Sequence, residues 1–86
     1  MTKYFWYRTC PVCEQGRLLI FKDLTANRLY LHCEECEWGW HDPERAADKD
    51  AGFLTLDQQF EAAPASVDDI QSFGWERYAV NEFDEP

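Results

Sequence analysis

The 86-residue chain lacks most of what a catalyst or a membrane protein displays. Its four glycines form no phosphate-binding loop, and its only serines are Ser66 and Ser72. Ser66 already reads as a helix cap before Val67-Asp68-Asp69, so no serine nucleophile stands out. No stretch approaches the roughly 18–20 apolar residues of a membrane span. The opening MTKYFWYRTC has neither the apolar run nor the small-residue cleavage site of a secretory signal, so the cytoplasm is the expected address. Bases are scarce: eight Lys and Arg stand against 17 Asp and Glu, for a net charge of −9. Phosphate backbones are held by Lys and Arg, so nucleic acid is an unfavoured partner. Catalysis is not expected.

Aromatic residues, by contrast, make up 16% of the chain, too many for a disordered segment. A single domain of this length buries only about 60% of its unfolded surface and needs a staple. Four cysteines can supply one, and in the cytosol a metal site is favoured over disulfides.

The cysteines form two pairs, Cys10-Pro-Val-Cys13 and Cys33-Glu-Glu-Cys36, with 19 residues between them. Each CxxC turn points two sulfurs to one side, and a hairpin between the turns brings the pairs together. Four thiolates then surround one metal at about 2.3 Å, the arrangement of a structural zinc site. Zn2+ is the expected cofactor, and iron suits the same sulfur tetrahedron. A thioredoxin-like redox pair needs a βαβ setting, which neither CxxC has. His32 and His41 flank the second pair as alternative ligands. With four cysteines present they read as ordinary polar positions.

CPVC at 10–13 and CEEC at 33–36, with strand-like segments between, resemble the zinc ribbon families over roughly residues 8–40. The resemblance implies a metal-stapled β-hairpin and a saturated, structural site. Ribbon knuckles often carry Gly directly after the second Cys. Here Glu14 and Glu37 hold those places, with Gly16 and Gly39 two residues further on.

The remaining patterning supports an α+β domain. A zinc ribbon hairpin in a small antiparallel sheet (1–41) is followed by an acidic extension with one or two short C-terminal helices (42–86). Residues 3–9, 17–23 and 28–33 read as strands. Leu29, Leu31 and Cys33 alternate with Arg28, Tyr30 and His32, so the apolar face runs into the second knuckle. Asn27 suits a left-handed turn position. Asp42-Pro43-Glu44 reads as the start of a short helix through Ala46 and Ala47. Residues 53–60 lean to a strand, and Pro64 reads as a break. Ser66 caps a second helix, on which Val67, Ile70 and Phe73 share a face and Gly74 is the stop. Trp75, Tyr78 and Val80 are expected to dock the tail. Residues 81–86 read as a frayed, solvated end.

Charge is uneven. Residues 1–31 carry +3, whereas residues 32–86 hold three bases and fifteen acids, or −12. Acids steer association with a basic protein and aromatics anchor it. The candidate partner-binding residues are Glu34, Glu35, Glu37, Trp38, Trp40, Asp42, Glu44, Asp68, Asp69, Glu82, Asp84 and Glu85. Trp38 and Trp40 read first as core, with partner contact as the sharper alternative. In size, charge and the segment SVDDIQSFGWERY (66–78), the chain resembles bacterial toxin immunity proteins. That resemblance implies an antitoxin-type inhibitor of a basic toxin, such as a nuclease. The alternative is a nucleic-acid-binding ribbon, or an accessory subunit of a transcription or translation assembly. That reading uses Arg17, Lys22 and Arg28 with Phe21 and Tyr30 as stacking platforms.

Overall fold

A computed structural model describes residues 2–55 and 61–85. It is built on one antiparallel sheet. The central strands are β1 (Thr2–Thr9), β2 (Arg17–Asp23) and β3 (Arg28–Cys33). Strands β4 (Trp38–Trp40) and β5 (Phe53–Leu54) extend the sheet beyond β3, and β7 (Asn81–Glu85) pairs with β1. The order is β5-β4-β3-β2-β1-β7, and β6 (Ala62–Pro64) pairs with the far end of β2.

The β2–β3 hairpin follows from its alternation. Leu18, Ile20, Leu29, Leu31 and Cys33 point to one face and are at most 3% exposed. The opposite face carries Phe21, Tyr30 and His32, whose rings contact one another across the two strands. The turn closes through Asp23, which is buried. Its carboxylate accepts from the backbone N–H groups of Thr25 and Ala26 at 2.9 and 3.0 Å. Asn27 sits in the left-handed region at φ 57°, a conformation Asn tolerates.

The extension departs from the expected helical one. Among the described residues there is one α-helix, α1 (Val67–Ser72), of six residues. The helix expected after Asp42 is replaced by two single 3-10 turns, Pro43–Arg45 and Lys49–Ala51. Asp42 does cap, accepting from the Glu44 N–H. Apolar residues are too few beyond it to bury a longer helix. Asp48 then caps a second turn, while the indole N–H groups of Trp40 and Trp38 donate to the carbonyls of Asp48 and Lys49 at 2.8 and 3.2 Å. The segment is thus tied to two tryptophans instead of to itself.

The protein is therefore mostly antiparallel sheet, and the expectation of an α+β domain with one or two short C-terminal helices is corrected: one six-residue helix and two 3-10 turns stand beside the sheet. Pro64 ends a short strand at the sheet margin, where its missing N–H costs little. The tail read as frayed is a strand in register with β1, from Asn81 against Trp6 to Glu85 against Thr2. Of the strand expected over 53–60, Phe53–Leu54 is paired among the described residues, and residues 56–60 lie outside them.

Helix α1 starts on a full capping box. The Ser66 hydroxyl accepts from the Asp69 N–H at 3.1 Å, and the Asp69 carboxylate accepts from the Ser66 N–H at 3.0 Å. Gly74, at φ 71°, follows its end. Ile70 is buried and Phe73 half-buried, but Val67 is 50% exposed. Tyr78 docks in the core, whereas Val80 is 60% exposed. No helix among the described residues is long and apolar enough to cross a membrane.

Candidate metal centre

Each CxxC occupies a turn at the end of a strand. Cys10 follows β1, and its knuckle closes where the Cys10 N–H donates to the Gly16 carbonyl at 2.8 Å and the Glu14 N–H to the Cys10 carbonyl at 2.9 Å. Cys33 ends β3, and the Glu37 N–H returns to its carbonyl at 3.2 Å. Glu14 and Glu37 adopt φ of 57° and 65°. These are the positions where ribbon knuckles place Gly, so both knuckles take the left-handed geometry with a side chain still attached. Gly16 has a different task. A Cβ there would lie 2.6 Å from Cys33 Sγ, so glycine lets the first knuckle press against the second.

Because β1, β2 and β3 are adjacent, the two knuckles meet at one end of the sheet. The four sulfurs all lie within 4.8 Å of one another. Cys10 Sγ is 3.7 Å from Cys36 Sγ, and Cys13 Sγ is 3.5 Å from Cys33 Sγ. A disulfide requires about 2.05 Å. Sulfurs placed tetrahedrally at about 2.3 Å from a metal stand about 3.8 Å apart. The cluster has the size of a four-sulfur metal site, and its four residues can hold a metal ion.

Backbone donors support negative sulfur. The Gly16 N–H reaches Cys13 Sγ at 3.5 Å, and the N–H groups of Glu35 and Cys36 reach Cys33 Sγ at 3.4 Å. The amides of Gly16 and Gln15 hold the Cys13 thiol down to about 6 from its usual 9.0. Burial pushes Cys33 and Cys36 up. Without a cation, the two environments compete: donors favour thiolate at the rim while burial opposes it inside. A dication resolves the conflict by neutralising the buried charge. The donor set therefore fits a metal ion bound by Cys10, Cys13, Cys33 and Cys36. The cluster contains cysteines alone. His32 is turned to the Glu37 carboxylate at 2.6 Å, and His41 stacks on Phe53 with centroids 4.4 Å apart.

The acids and tryptophans singled out by charge are not assembled into one patch. Trp40 is wholly buried, and Trp38 is half-buried with the Lys49 ammonium 5.9 Å from its ring centroid. Trp40 cannot touch a partner. The β4 tryptophans and the β7 acids are four strand spacings apart, about 19 Å.

Several carboxylates have internal partners. Glu34 grips Arg17 through its guanidinium (2.9 Å to Nη2) and its backbone N–H (3.0 Å), which holds the carboxyl below its ordinary range. Glu37 accepts from the Thr55 hydroxyl at 3.3 Å besides meeting His32. Asp69 caps α1 and pairs with Lys22 at 3.2 Å. Asp42 caps the first 3-10 turn, and Glu44 accepts from the Tyr78 hydroxyl at 2.5 Å. Glu35, Asp68, Glu82 and Asp84 are exposed, and Glu85 ends β7.

The hairpin bases are engaged as well. Arg17 pairs with Glu34, Lys22 with Asp69 and Arg28 with the buried Asp23 at 3.8 Å. Lys22 also lies on the face opposite Phe21 and Tyr30, and Tyr30 is only 3% exposed. The hairpin thus lacks a row of uncompensated bases beside open rings. Sequence reasoning missed the amide donors to sulfur and the contact role of Gly16. Glycine three places past the second Cys of each pair was the visible signal. Comparison of the chain with protein-family models, curated proteins and solved structures finds no match.

Proposed function

We propose that the chain is a small, acidic, zinc-stapled module that binds a basic protein, in the manner of an immunity or antitoxin protein against a basic toxin such as a nuclease. The zinc assignment rests on four thiolate ligands at tetrahedral separations. Zinc in such a set is redox-silent and has no open coordination position, so its contribution is to folding and not to catalysis.

One observation carries the choice of partner. Residues 32–86 hold −12, and Glu35, Asp68, Glu82 and Asp84 stand exposed, while the hairpin bases Arg17, Lys22 and Arg28 are each matched by a carboxylate. The outward field is negative, which attracts a basic surface and repels phosphate backbones. Against a nuclease, the carboxylates would stand where substrate phosphates bind.

The test is co-expression with the product of the neighbouring gene. The expected result is a one-to-one complex whose affinity falls as salt rises, and relief of that product's toxicity in cells. A neighbouring product that is basic and toxic, yet neither bound nor relieved at low salt, would remove the proposal.

A further inference from the structure

The sheet has two ends. At one, β5 contributes two residues; at the other, β7 contributes five. Among the described residues nothing pairs with the outer side of β7, so it presents unpaired backbone N–H and C=O groups. Such an edge is a template for another strand unless its side chains forbid it.

Its side chains are sorted by face. The register with β1 places Phe83 beside Tyr4 on one face, and Glu82 and Asp84 beside Phe5 and Lys3 on the other. Phe83 is fixed there: it stacks on Tyr4 at 5.1 Å, and the Arg17 guanidinium lies 3.9 Å from its ring centroid. Glu82 and Asp84 are exposed. Glu82 meets Lys3 at 3.8 Å in a solvated pair, which contributes little.

We infer that β7 is a docking edge for an extended cationic segment of the partner, which joins the sheet as a further strand with Lys or Arg at alternate positions facing Glu82 and Asp84. The charge pattern selects this occupant over a second copy of the chain. Antiparallel pairing of two β7 strands centred on Phe83 would set Glu82 of each copy opposite Asp84 of the other. Cross-strand neighbours have Cβ atoms about 4.5–5.5 Å apart, and like charges there are destabilising. A strand with alternating bases turns both repulsive pairs into attractive ones. The edge thus refuses itself while remaining open to an opposite. This inference rests on the reading of the chain as a module for a basic protein, and adds which surface is used and what shape of segment it takes.

The experiment uses the metal-loaded full chain, labelled with 15N, and a capped peptide Thr-Lys-Val-Lys-Thr, with Thr-Glu-Val-Glu-Thr as control. The expected result is chemical-shift change and slowed amide exchange confined to residues 81–85 and the paired residues 2–6, for the cationic peptide only. The double variant Glu82→Lys, Asp84→Lys should bind it about tenfold more weakly or worse, with melting temperature and metal content unchanged. Equal binding by the double variant overturns the inference. So do shifts centred on the second knuckle or residues 42–44 with β7 silent, a result that leaves the basic-partner reading standing. Failure of the cationic peptide to bind anywhere at low salt, alongside a salt-sensitive complex with a basic protein, overturns strand addition alone. Failure of both counts against both.

Discussion

Replacing Gly16 by Ala probes how tightly the two knuckles are pressed together. The new Cβ would lie 2.6 Å from Cys33 Sγ, 2.9 Å from Glu35 Cγ and 3.0 Å from Glu35 Cβ. Comfortable non-bonded separations are about 3.5–4.0 Å, so each neighbour must retreat by roughly 1 Å. Glu35 is exposed and can swing aside. Cys33 is fully buried and its sulfur takes two amide hydrogen bonds, so it cannot move freely. A metal–sulfur bond tolerates a displacement of only about 0.2 Å. Overpacking of this kind costs about 1–3 kcal/mol. Where folding and metal binding are linked, that cost appears as about a 5–150-fold loss of zinc affinity. The assay is competition for zinc against a chromophoric chelator, with cobalt substitution to report ligand geometry. Ile70→Val, on α1, serves as the control with a cost of about 0.5–1.5 kcal/mol. Both variants should weaken apparent affinity, but only Gly16→Ala should alter the cobalt spectrum. Wild-type affinity and an unchanged spectrum in Gly16→Ala would refute the close contact between knuckles.

Glu14 holds a left-handed conformation at an exposed site, so Glu14→Gly should relieve strain of about 1–2 kcal/mol at an entropic cost of about 0.5–1 kcal/mol. A melting temperature raised by a few degrees is expected, and a lowered one would contradict the strain argument. Trp40→Phe removes the indole bond to the Asp48 carbonyl from a wholly buried site and should cost about 2–4 kcal/mol in chemical denaturation. The Ser66 N–H and Lys22 hold Asp69 below its usual 3.8, so its contribution is present above that value and is lost as pH falls through the depressed one. Asp69→Asn should therefore lower stability at neutral pH and flatten the acid limb of the stability curve; an acid limb as steep as in the wild type would contradict this.

The residues that announced themselves were those whose neighbours in sequence are also their neighbours in space. CPVC and CEEC are local turns, and RLLIFKD and RLYLHC form a hairpin through one tight turn. Strands β2 and β3 accordingly begin and end where alternation places them. Ser66 was legible as a cap because its partner, Asp69, is three residues away. The errors lie where distant chain decides. Residues 81–85 contain one apolar side chain, Phe83, and their strand exists because β1, some 75 residues earlier, offers Tyr4 and Arg17 of β2 offers a lid. The segment after Asp42 offers a helix a good cap and a well-placed proline. It has too few apolar residues to bury a longer helix, and the indoles of Trp40 and Trp38 tie down the Asp48 and Lys49 carbonyls that follow. At the cysteine cluster, the four residues that can hold a metal ion were plain from spacing. The left-handed Glu14 and Glu37 were not, since only the closed knuckle forces that conformation on a residue other than glycine.

The central claim is that Cys10, Cys13, Cys33 and Cys36 together hold one zinc ion on which the fold depends. Native mass spectrometry of the folded chain, followed by circular dichroism and tryptophan fluorescence during titration with a strong chelator, tests it most directly. The expected result is one zinc per chain, with sheet signal and native tryptophan fluorescence lost together as the metal leaves, since structural zinc contributes on the order of 10 kcal/mol to folding. A chain that folds without metal, or keeps its sheet and its tryptophan environment after the metal is removed, would contradict the claim.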